Sequence, residues 1–256
     1  MCMIRVGLIG FGKTGKIVAE EIIRDSSCTL SWVLRKTAVE EGEFASHLLG
    51  LHSEQGRIWS MDHIEPPSFF EENEVDVIVD FSDYNAIDTY YQYLKENPVR
   101  LISAISSYPP EERAMIDELA KRTAVLYSPN ITLGINFLIV ISEVLQKIVP
   151  WADIEIIEQH FRNKPEVSGT ALKIADILGL DKKKNVNSVR VGGIIGKHEV
   201  IFGLPNQTIR LIHETHNRAA FGQGILFGIK YLVGQEKGLF NMEQVIKEKF
   251  VNSILN

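Results

Sequence analysis

Ile4-Arg5-Val6-Gly7-Leu8-Ile9 runs directly into Gly10-Phe11-Gly12-Lys13-Thr14-Gly15, and Lys16-Ile17-Val18-Ala19-Glu20-Glu21-Ile22-Ile23-Arg24 follows. The first six residues are mostly apolar, as in a buried strand. In the last nine, Ile17, Val18 and Ile22, joined by Ala19, make one helical face. A strand, a G-x-G-x-x-G turn and a helix form the dinucleotide fingerprint in its expected context. Gly10 allows the tight turn, Gly12 lets backbone approach a pyrophosphate, and Gly15 lets helix and strand pack closely. The pyrophosphate lies on the helix start, where unpaired N–H groups and the helix dipole favour an anion. A glycine turn without a ligand is the plain alternative. The strand and helix on either side argue for the nucleotide.

Working outward, the next strand is Thr29–Leu34. In a fold that prefers NAD, an acidic side chain binds the ribose 2′-hydroxyl about 20 residues past the glycines. Here the strand ends in Arg35-Lys36. Two cations suit a 2′-phosphate, so the expected cofactor is NADPH, with NADH possible. A solvated basic pair is the bland reading. Residues 37–72 carry little pattern, and Pro66-Pro67 reads as a loop. His47, His52 and His63 share no spacing and read as surface residues. Val75–Phe81, Arg100–Ile105 and Ala124–Tyr127 read as strands, separated by helices at Ala86–Lys95 and Glu111–Arg122. This alternation implies a doubly wound parallel sheet. The expected fold class is therefore α/β, with an N-terminal Rossmann-type domain.

Composition agrees with a globular chain. Of 256 residues, 45% are hydrophobic and 23% charged, enough for a core without a disulfide scaffold. The net charge is −6 with no basic block, which argues against nucleic acid as the main partner. Cys2 and Cys28 lack metal-type spacing and read as free thiols in a reducing compartment. Met1–Arg5 has no basic n-region or cleavage site, and the apolar run Ile135–Leu145 is too short and polar to span a bilayer. The expectation is a cytoplasmic protein without a membrane partner.

Ser128-Pro129-Asn130-Ile131-Thr132-Leu133-Gly134-Ile135-Asn136 breaks the alternation and reads as a hinge into a second domain. An apolar helix over Phe137–Ile148, a strand over Ala152–Gln159 and a helix from about Thr170 to Leu178 follow. Asp181–Asn187 reads as a polar loop. Val189–Ile195, Lys197–Leu204 and Thr208–His216 read as three short antiparallel strands. The second domain is thus expected to be α+β with an open mixed sheet, one face of which suits oligomerisation. Ala219–Val233 reads as a helix with Gly222, Gly224 and Gly228 on packed faces, and Met242–Phe250 as another.

The chemistry concentrates in Glu158-Gln159-His160-Phe161-Arg162-Asn163-Lys164-Pro165-Glu166-Val167-Ser168-Gly169-Thr170-Ala171-Leu172. His160, Arg162 and Lys164 share parity, so an extended chain would put them on one face, with His160 and Lys164 on the order of 13 Å apart. To reach one small molecule the chain must bend, and Pro165 is placed to help. Ser168-Gly169-Thr170 then opens a helix whose hydroxyls and N–H groups can cradle a carboxylate or phosphate. A histidine and a lysine beside such a nest suit an anionic substrate that receives a proton. Solvated cations and an ordinary Ser N-cap are the bland reading. His213-Glu214-Thr215-His216 lacks helical H-E-x-x-H spacing, and a strand would aim the two histidines to opposite faces, so no metal is expected. No G-x-S-x-G elbow is present for nucleophilic serine chemistry.

The layout resembles the dihydrodipicolinate (4-hydroxy-tetrahydrodipicolinate) reductase family over nearly the whole chain. The resemblance rests on Gly10–Gly15, Val79-Asp80-Phe81-Ser82, Pro129–Asn136, Glu158-Gln159-His160 through Lys164 to Ser168-Gly169-Thr170-Ala171, and Gly238-Leu239-Phe240-Asn241-Met242. It implies a two-domain, usually tetrameric reductase. In that family NAD(P)H delivers hydride to a cyclic imine with two carboxylates, in lysine and diaminopimelate biosynthesis. His160 stands at the position of the family's acid/base and Lys164 at that of its proton donor. Ser168, Gly169, Thr170 and Phe161 match substrate-binding positions. Gly10, Phe11, Gly12, Lys13, Thr14, Gly15, Arg35, Lys36, Phe81, Ser82, Ala104, Ser106, Ser128, Asn130 and Ile131 match cofactor positions. Residues 1–128 and 219–256 would form the dinucleotide domain, and 129–218 the substrate and oligomerisation domain.

Three departures stand out. Phe161 replaces the second of two adjacent histidines, and Ala104-Ile105-Ser106-Ser107 replaces a G-T-T-G turn. Glu166-Val167 shortens the Asp-Ala-Pro before the SGT segment. They motivate two other readings: a non-catalytic NADP(H)-binding sensor, or a reductase for a different cyclic imine.

Overall fold

The computed structural model describes residues 3–255, so Cys2 lies outside the described residues, while Cys28 is a buried free thiol. In chain order the elements begin with β1 (Ile4–Ile9), α1 (Lys13–Arg24), β2 (Cys28–Arg35), α2 (Ala45–Leu48), β3 (Arg57–Ser60), α3 (Pro66–Glu72) and β4 (Val77–Asp80). A short 3-10 turn at Tyr84–Ala86 leads into α4 (Ile87–Glu96), β5 (Arg100–Ser103), α5 (Pro110–Leu119) and β6 (Ala124–Tyr127). Next come α6 (Leu133–Ile148), β7 (Asp153–His160), α7 (Gly169–Ile177), β8 (Val186–Arg190), β9 (Gly196–Leu204) and β10 (Gln207–Thr215). The chain closes with α8 (Ala219–Leu232), β11 (Gly238–Phe240) and α9 (Met242–Leu255).

Two compact units divide the chain. The first runs to Thr132 and resumes over Ala219–Val245; the second spans Leu133–Arg218 and takes the described C-terminus from Ile246. The first unit is a seven-stranded, wholly parallel sheet in the order β11-β6-β5-β4-β1-β2-β3. The strand order reverses between β1 and β4, and that switch point is where a doubly wound sheet binds ligands. Val6, Leu8, Val77, Ile78, Val79, Leu101 and Val125 are fully buried, as expected for strands covered on both faces. Trp32 anchors the core. Its ring lies where a side chain at Gly7 would otherwise stand, 2.1 Å from an added Cβ, and its Nε1 donates to the Asn73 carbonyl at 2.9 Å.

The sheet, the alternating helices and α8 follow the sequence expectation, with local corrections. Pro66-Pro67 opens α3 instead of a loop, because proline tolerates the first helical positions, where no N–H partner is needed. The unread segment 37–72 also holds β3, and β11 extends the sheet at its other end.

The second unit carries a four-stranded sheet in the order β10-β9-β7-β8. β9 pairs antiparallel with both β10 and β7. The expected strand at 189–195 is displaced. β8 begins at Val186, inside the expected polar loop, and pairs parallel with β7. Its residues are polar or half-exposed, so no alternating pattern marks it. One face of this sheet packs with α6 and α7 into a core that includes Ile139, Ile156, Ile174, Val200 and Phe202. Because side chains alternate, Ile157, Val189 and Ile212 point to the other face.

Candidate active site

In the first unit the glycine turn is shaped by contact. Gly10 has φ +93°, and a Cβ there would lie 2.8 Å from the Phe81 backbone. A Cβ on Gly15 would lie 2.1 Å from the Gly10 carbonyl oxygen, so α1 packs directly on the turn. A Cβ on Gly12 would meet nothing within 4 Å. Gly12 thus needs to be small only for something that the chain itself does not supply. It borders a cavity of about 480 Å³ that also touches Gly10, Phe11, Arg35, Lys36, Phe81 and Ser82. A dinucleotide fits this donor set: an open glycine at a helix start, flanked by cations at the end of β2.

Arg35 and Lys36 have acidic neighbours. Arg35 Nη1 pairs with Glu40, whose other oxygen lies 3.3 Å from Lys16 Nζ. Lys36 Nζ lies 3.8 Å from Asp83 on open surface. Beneath Ser82, Asp80 is fully buried and accepts from the Ser82 N–H at 2.9 Å, the Ser82 hydroxyl at 2.5 Å and the Tyr90 hydroxyl at 2.7 Å. Burial pushes the Asp80 carboxyl up to about 6, against these donors. Asp80 therefore holds the Phe81-Ser82 turn on which Gly10 rests.

The other predicted cofactor residues stand away from this cavity's lining. Lys13 and Thr14 open α1. The Ala104 N–H bonds the Asp80 carbonyl at 3.0 Å, and Ser106 is exposed. The Ser128 hydroxyl is used internally, donating to the Asn130 carbonyl at 2.8 Å and accepting from the Met242 N–H at 3.4 Å. Ile131 is fully buried, its carbonyl 2.0 Å from where a Cβ on Gly224 would stand.

In the second unit β7 places Glu158 and His160 two residues apart, both buried on its inner face. Burying an ionised carboxylate costs several kcal/mol unless it is paired and bonded. Glu158 meets that condition. Arg190 grips it with two nitrogens at 2.6 and 2.9 Å, the Ser188 hydroxyl donates at 2.6 Å and the Ser168 N–H at 3.2 Å. Burial pushes the carboxyl up, but Arg190, Ser188, His160 and Ser168 outweigh it and hold it at about 2. The carboxylate is thus ionised and accepts from Nδ1 of His160 at 2.5 Å. This contact fixes Nδ1 as a donor and leaves Nε2 as the nitrogen that can exchange a proton. Nε2 lies at the start of β9, 3.2 Å from where a Cβ on Gly196 would stand.

Lys164 follows at once. β7 ends at His160, and the Lys164 N–H bonds the Phe161 carbonyl at 3.1 Å, closing a turn. The bend therefore comes before Pro165, and His160, Arg162 and Lys164 do not share one extended face. Arg190 ties this loop down, donating to the Lys164 carbonyl at 3.1 Å and the Glu166 carbonyl at 2.8 Å. Among the described residues the half-buried Lys164 amine has no hydrogen-bond or ion-pair partner. Ser168 occupies the N-cap position of α7, but its hydroxyl does not cap the helix. It meets Nε2 of buried His198 at 2.9 Å. Burial first, then His160 and His213, hold His198 down at about 4, so it is neutral at pH 7. A Cβ on Gly169 would meet nothing within 4 Å, leaving room at the helix start. Phe161 is 42% exposed on the turn.

Two family models now meet this geometry. The model described as dihydrodipicolinate reductase, N-terminus, matches residues 4–131, and that described as dihydrodipicolinate reductase, C-terminus, matches residues 132–246. The chain belongs to the dihydrodipicolinate reductase family. A relative from Caldanaerobacter subterraneus subsp. tengcongensis, named 4-hydroxy-tetrahydrodipicolinate reductase, is 34% identical over 68% of this chain and 78% of its own length. One of the same name from Buchnera aphidicola is 28% identical over 96% of this chain and 98% of its own. A solved dipicolinate-bound dihydrodipicolinate reductase from Paenisporosarcina sp. TG-14 shares the fold, with TM-score 0.78 and 21% identity, covering 95% of this chain and 99% of that one.

In this dihydrodipicolinate reductase fold, twelve of the predicted residues fall into two groups. Gly10, Phe11, Gly12, Arg35, Lys36, Phe81 and Ser82 line one cavity. His160, Lys164, Ser168, Gly169 and Thr170 come from β7, its turn and the start of α7. Sequence reasoning missed four partners. Glu158 stood in the quoted stretch without a role, and Arg190, Ser188 and His198 come from β8 and β9. Their signal is register alone: Glu158 pairs with Ser188 on one side and His198 on the other, and His160 pairs with Arg190.

Proposed function

We propose that the chain reduces 4-hydroxy-tetrahydrodipicolinate to tetrahydrodipicolinate in lysine and diaminopimelate biosynthesis, using NADPH in preference to NADH. The observation that carries this reading is the Glu158-oriented His160 at the end of β7, followed by a turn with the unpaired Lys164 amine and then by the open start of α7. It stands in a chain whose two halves match the two family models. When bound, the nicotinamide cofactor supplies a hydride. Gly12 would admit its pyrophosphate at the start of α1, and Arg35 and Lys36 would hold its ribose end. Gly169 and Thr170 receive one substrate carboxylate at the start of α7. The 4-hydroxyl leaves as water together with a ring hydrogen; after the hydride adds, Lys164 would supply positive charge and the one proton that the ring takes up, and His160 would exchange protons at Nε2 while Glu158 holds Nδ1. His198, kept neutral, orients the Ser168 hydroxyl.

The exposed Phe161 favours a second reading, reduction of a different cyclic imine, because an apolar ring stands where relatives are expected to offer histidine. A third reading is a sensor that binds NADP(H) without turnover. Incubation with the dihydrodipicolinate synthase product and NADPH should oxidise the cofactor. The Lys164→Ala variant should lose activity by about 10²-fold or more. A folded protein with no turnover on either cofactor would remove the reductase reading. Binding of NADPH without pyridine-2,6-dicarboxylate would select the sensor. We further assign the protein to the cytoplasm. No helix among the described residues is long and apolar enough to cross a membrane. We also assign a homotetramer formed through the open face of the second sheet, where Ile212 is 55% exposed. Light scattering on the purified chain reads the assembly state, and a monomer would overturn the tetramer.

A further inference from the structure

β2 ends at two cations, Arg35 and Lys36, with no acid beside them in sequence, yet the loop that follows folds an acid back onto Arg35. Glu40 lies in the loop after β2. It is the one non-glycine residue among those described with positive φ, at +63°. That conformation costs a glutamate about 1 kcal/mol or more and persists only where surroundings hold it. Here the side chain provides the hold. One carboxylate oxygen meets Arg35 Nη1, and the other lies 3.3 Å from Lys16 Nζ. Both cations sit against the Phe11 ring, Lys16 Nζ at 5.2 Å and the Arg35 guanidinium at 6.0 Å from its centre. Phe11 and Arg35 line the nucleotide cavity. The side chains of Arg35 and Glu40 are 19% and 28% exposed, so this pair is less screened than the open Lys36–Asp83 contact.

We propose that Glu40 is the specificity-determining residue of the cofactor site, an internal anion that occupies the cations a 2′-phosphate would use. This inference rests on the nicotinamide-cofactor reading above. With a free ribose 2′-hydroxyl, Glu40 stays on Arg35 and Lys16, and the site is neutral enough to accept NADH. With a 2′-phosphate, the carboxylate must leave Arg35, and the preference for NADPH is reduced by the contact given up. Arg35-Lys36 alone therefore overstates how far this chain favours NADPH.

The test uses the full chain and fragments of the cofactor that need no turnover. Calorimetry measures adenosine 2′,5′-bisphosphate and adenosine 5′-monophosphate against wild type and Glu40→Gln. Glutamine keeps the side-chain shape and the backbone position but removes the charge. The variant should bind the bisphosphate about tenfold tighter and the monophosphate within about twofold of wild type. The kcat/KM ratio of NADPH to NADH should rise in parallel. In an Arg35→Ala background the same substitution should give a clearly smaller gain for the bisphosphate, because only Lys16 remains to be freed. Equal gains for both fragments, no gain, or a gain undiminished in Arg35→Ala would overturn the role of Glu40 while leaving the cofactor reading intact. If neither fragment nor either cofactor binds the wild type, the cofactor reading falls and this inference with it.

Discussion

Glu158 has no exposed surface, yet it carries a full negative charge shared among Arg190, Ser188, the Ser168 N–H and His160. Arg190 already balances that charge, so the carboxylate serves His160 as an orienting acceptor more than as a base. Replacing it by Gln keeps an acceptor for Nδ1 but leaves the half-buried Arg190 guanidinium without its counter-charge. Glu158→Gln should lower kcat by about 10²-fold, with little change in the KM for cofactor, and cost about 3–5 kcal/mol of stability. Steady-state kinetics beside urea unfolding reads both quantities. An unchanged kcat would remove Glu158 from the site. At this scale the sequence disclosed the residues that stand in one continuous stretch, His160 through Thr170. It did not disclose Arg190 or His198. They reach Glu158 and Ser168 across strands, and a pairing register leaves no mark in a stretch read alone.

Among the elements, the β1–α1 turn separates packing from ligand approach within six residues. Gly15→Ala would press a methyl onto the Gly10 carbonyl, 2.1 Å away, and should cost about 1–3 kcal/mol as α1 shifts off the strand. Gly12→Ala meets open space, and Gly12 has φ −80°, which alanine adopts without strain. Its stability should stay within about 0.5 kcal/mol of wild type. Its affinity for NADPH should fall at least about tenfold, since the methyl stands where a pyrophosphate must approach. Thermal unfolding and nucleotide titration of the two variants decide the matter. Loss of stability without loss of affinity in Gly12→Ala would mean that the turn binds no phosphate. These elements were legible because glycines, apolar runs and helical faces are local signals. β8 was not: its partly exposed residues alternate with no apolar stripe, and its parallel pairing is a tertiary choice. Pro66-Pro67 misled because proline marks a loop and a helix start with the same residue.

For the molecule as a whole, the two match regions of the family models meet near Thr132, where the chain passes from the first compact unit into the second. Each unit buries one carboxyl with a shifted proton affinity, and the shifts are opposite. Glu158, in the second unit, is held at about 2 against 4.5 for the free side chain, despite its burial, by Arg190 and its other donors. Below about pH 4.5 the unfolded chain binds the proton first, so the stability Glu158 contributes is complete above that pH. It is lost as pH falls toward 2, by on the order of 3 kcal/mol. Asp80, in the first unit, is raised by burial from 3.8 to about 6. There the folded state binds the proton first. Its ionisation therefore costs stability above about pH 6, and that cost, on the order of 3 kcal/mol, is relieved as pH falls toward 4. Asp25 in the first unit is also held low, by Lys230 and then Ser27, but the Lys230 side chain is 51% exposed, and screening there weakens the effect. Acid should thus separate the two units. Between pH 6 and 4.5 the opening free energy of β4 amides should rise while that of β7 amides stays level; below pH 4.5 β7 should weaken first. Hydrogen exchange read peptide by peptide, corrected for intrinsic rates, measures both. Asp80→Asn should abolish the rise in β4, and Glu158→Gln should flatten the loss in β7. Weakening of both units in one common pH window would show that neither buried carboxyl governs its unit, and that the net charge of the chain sets its acid stability.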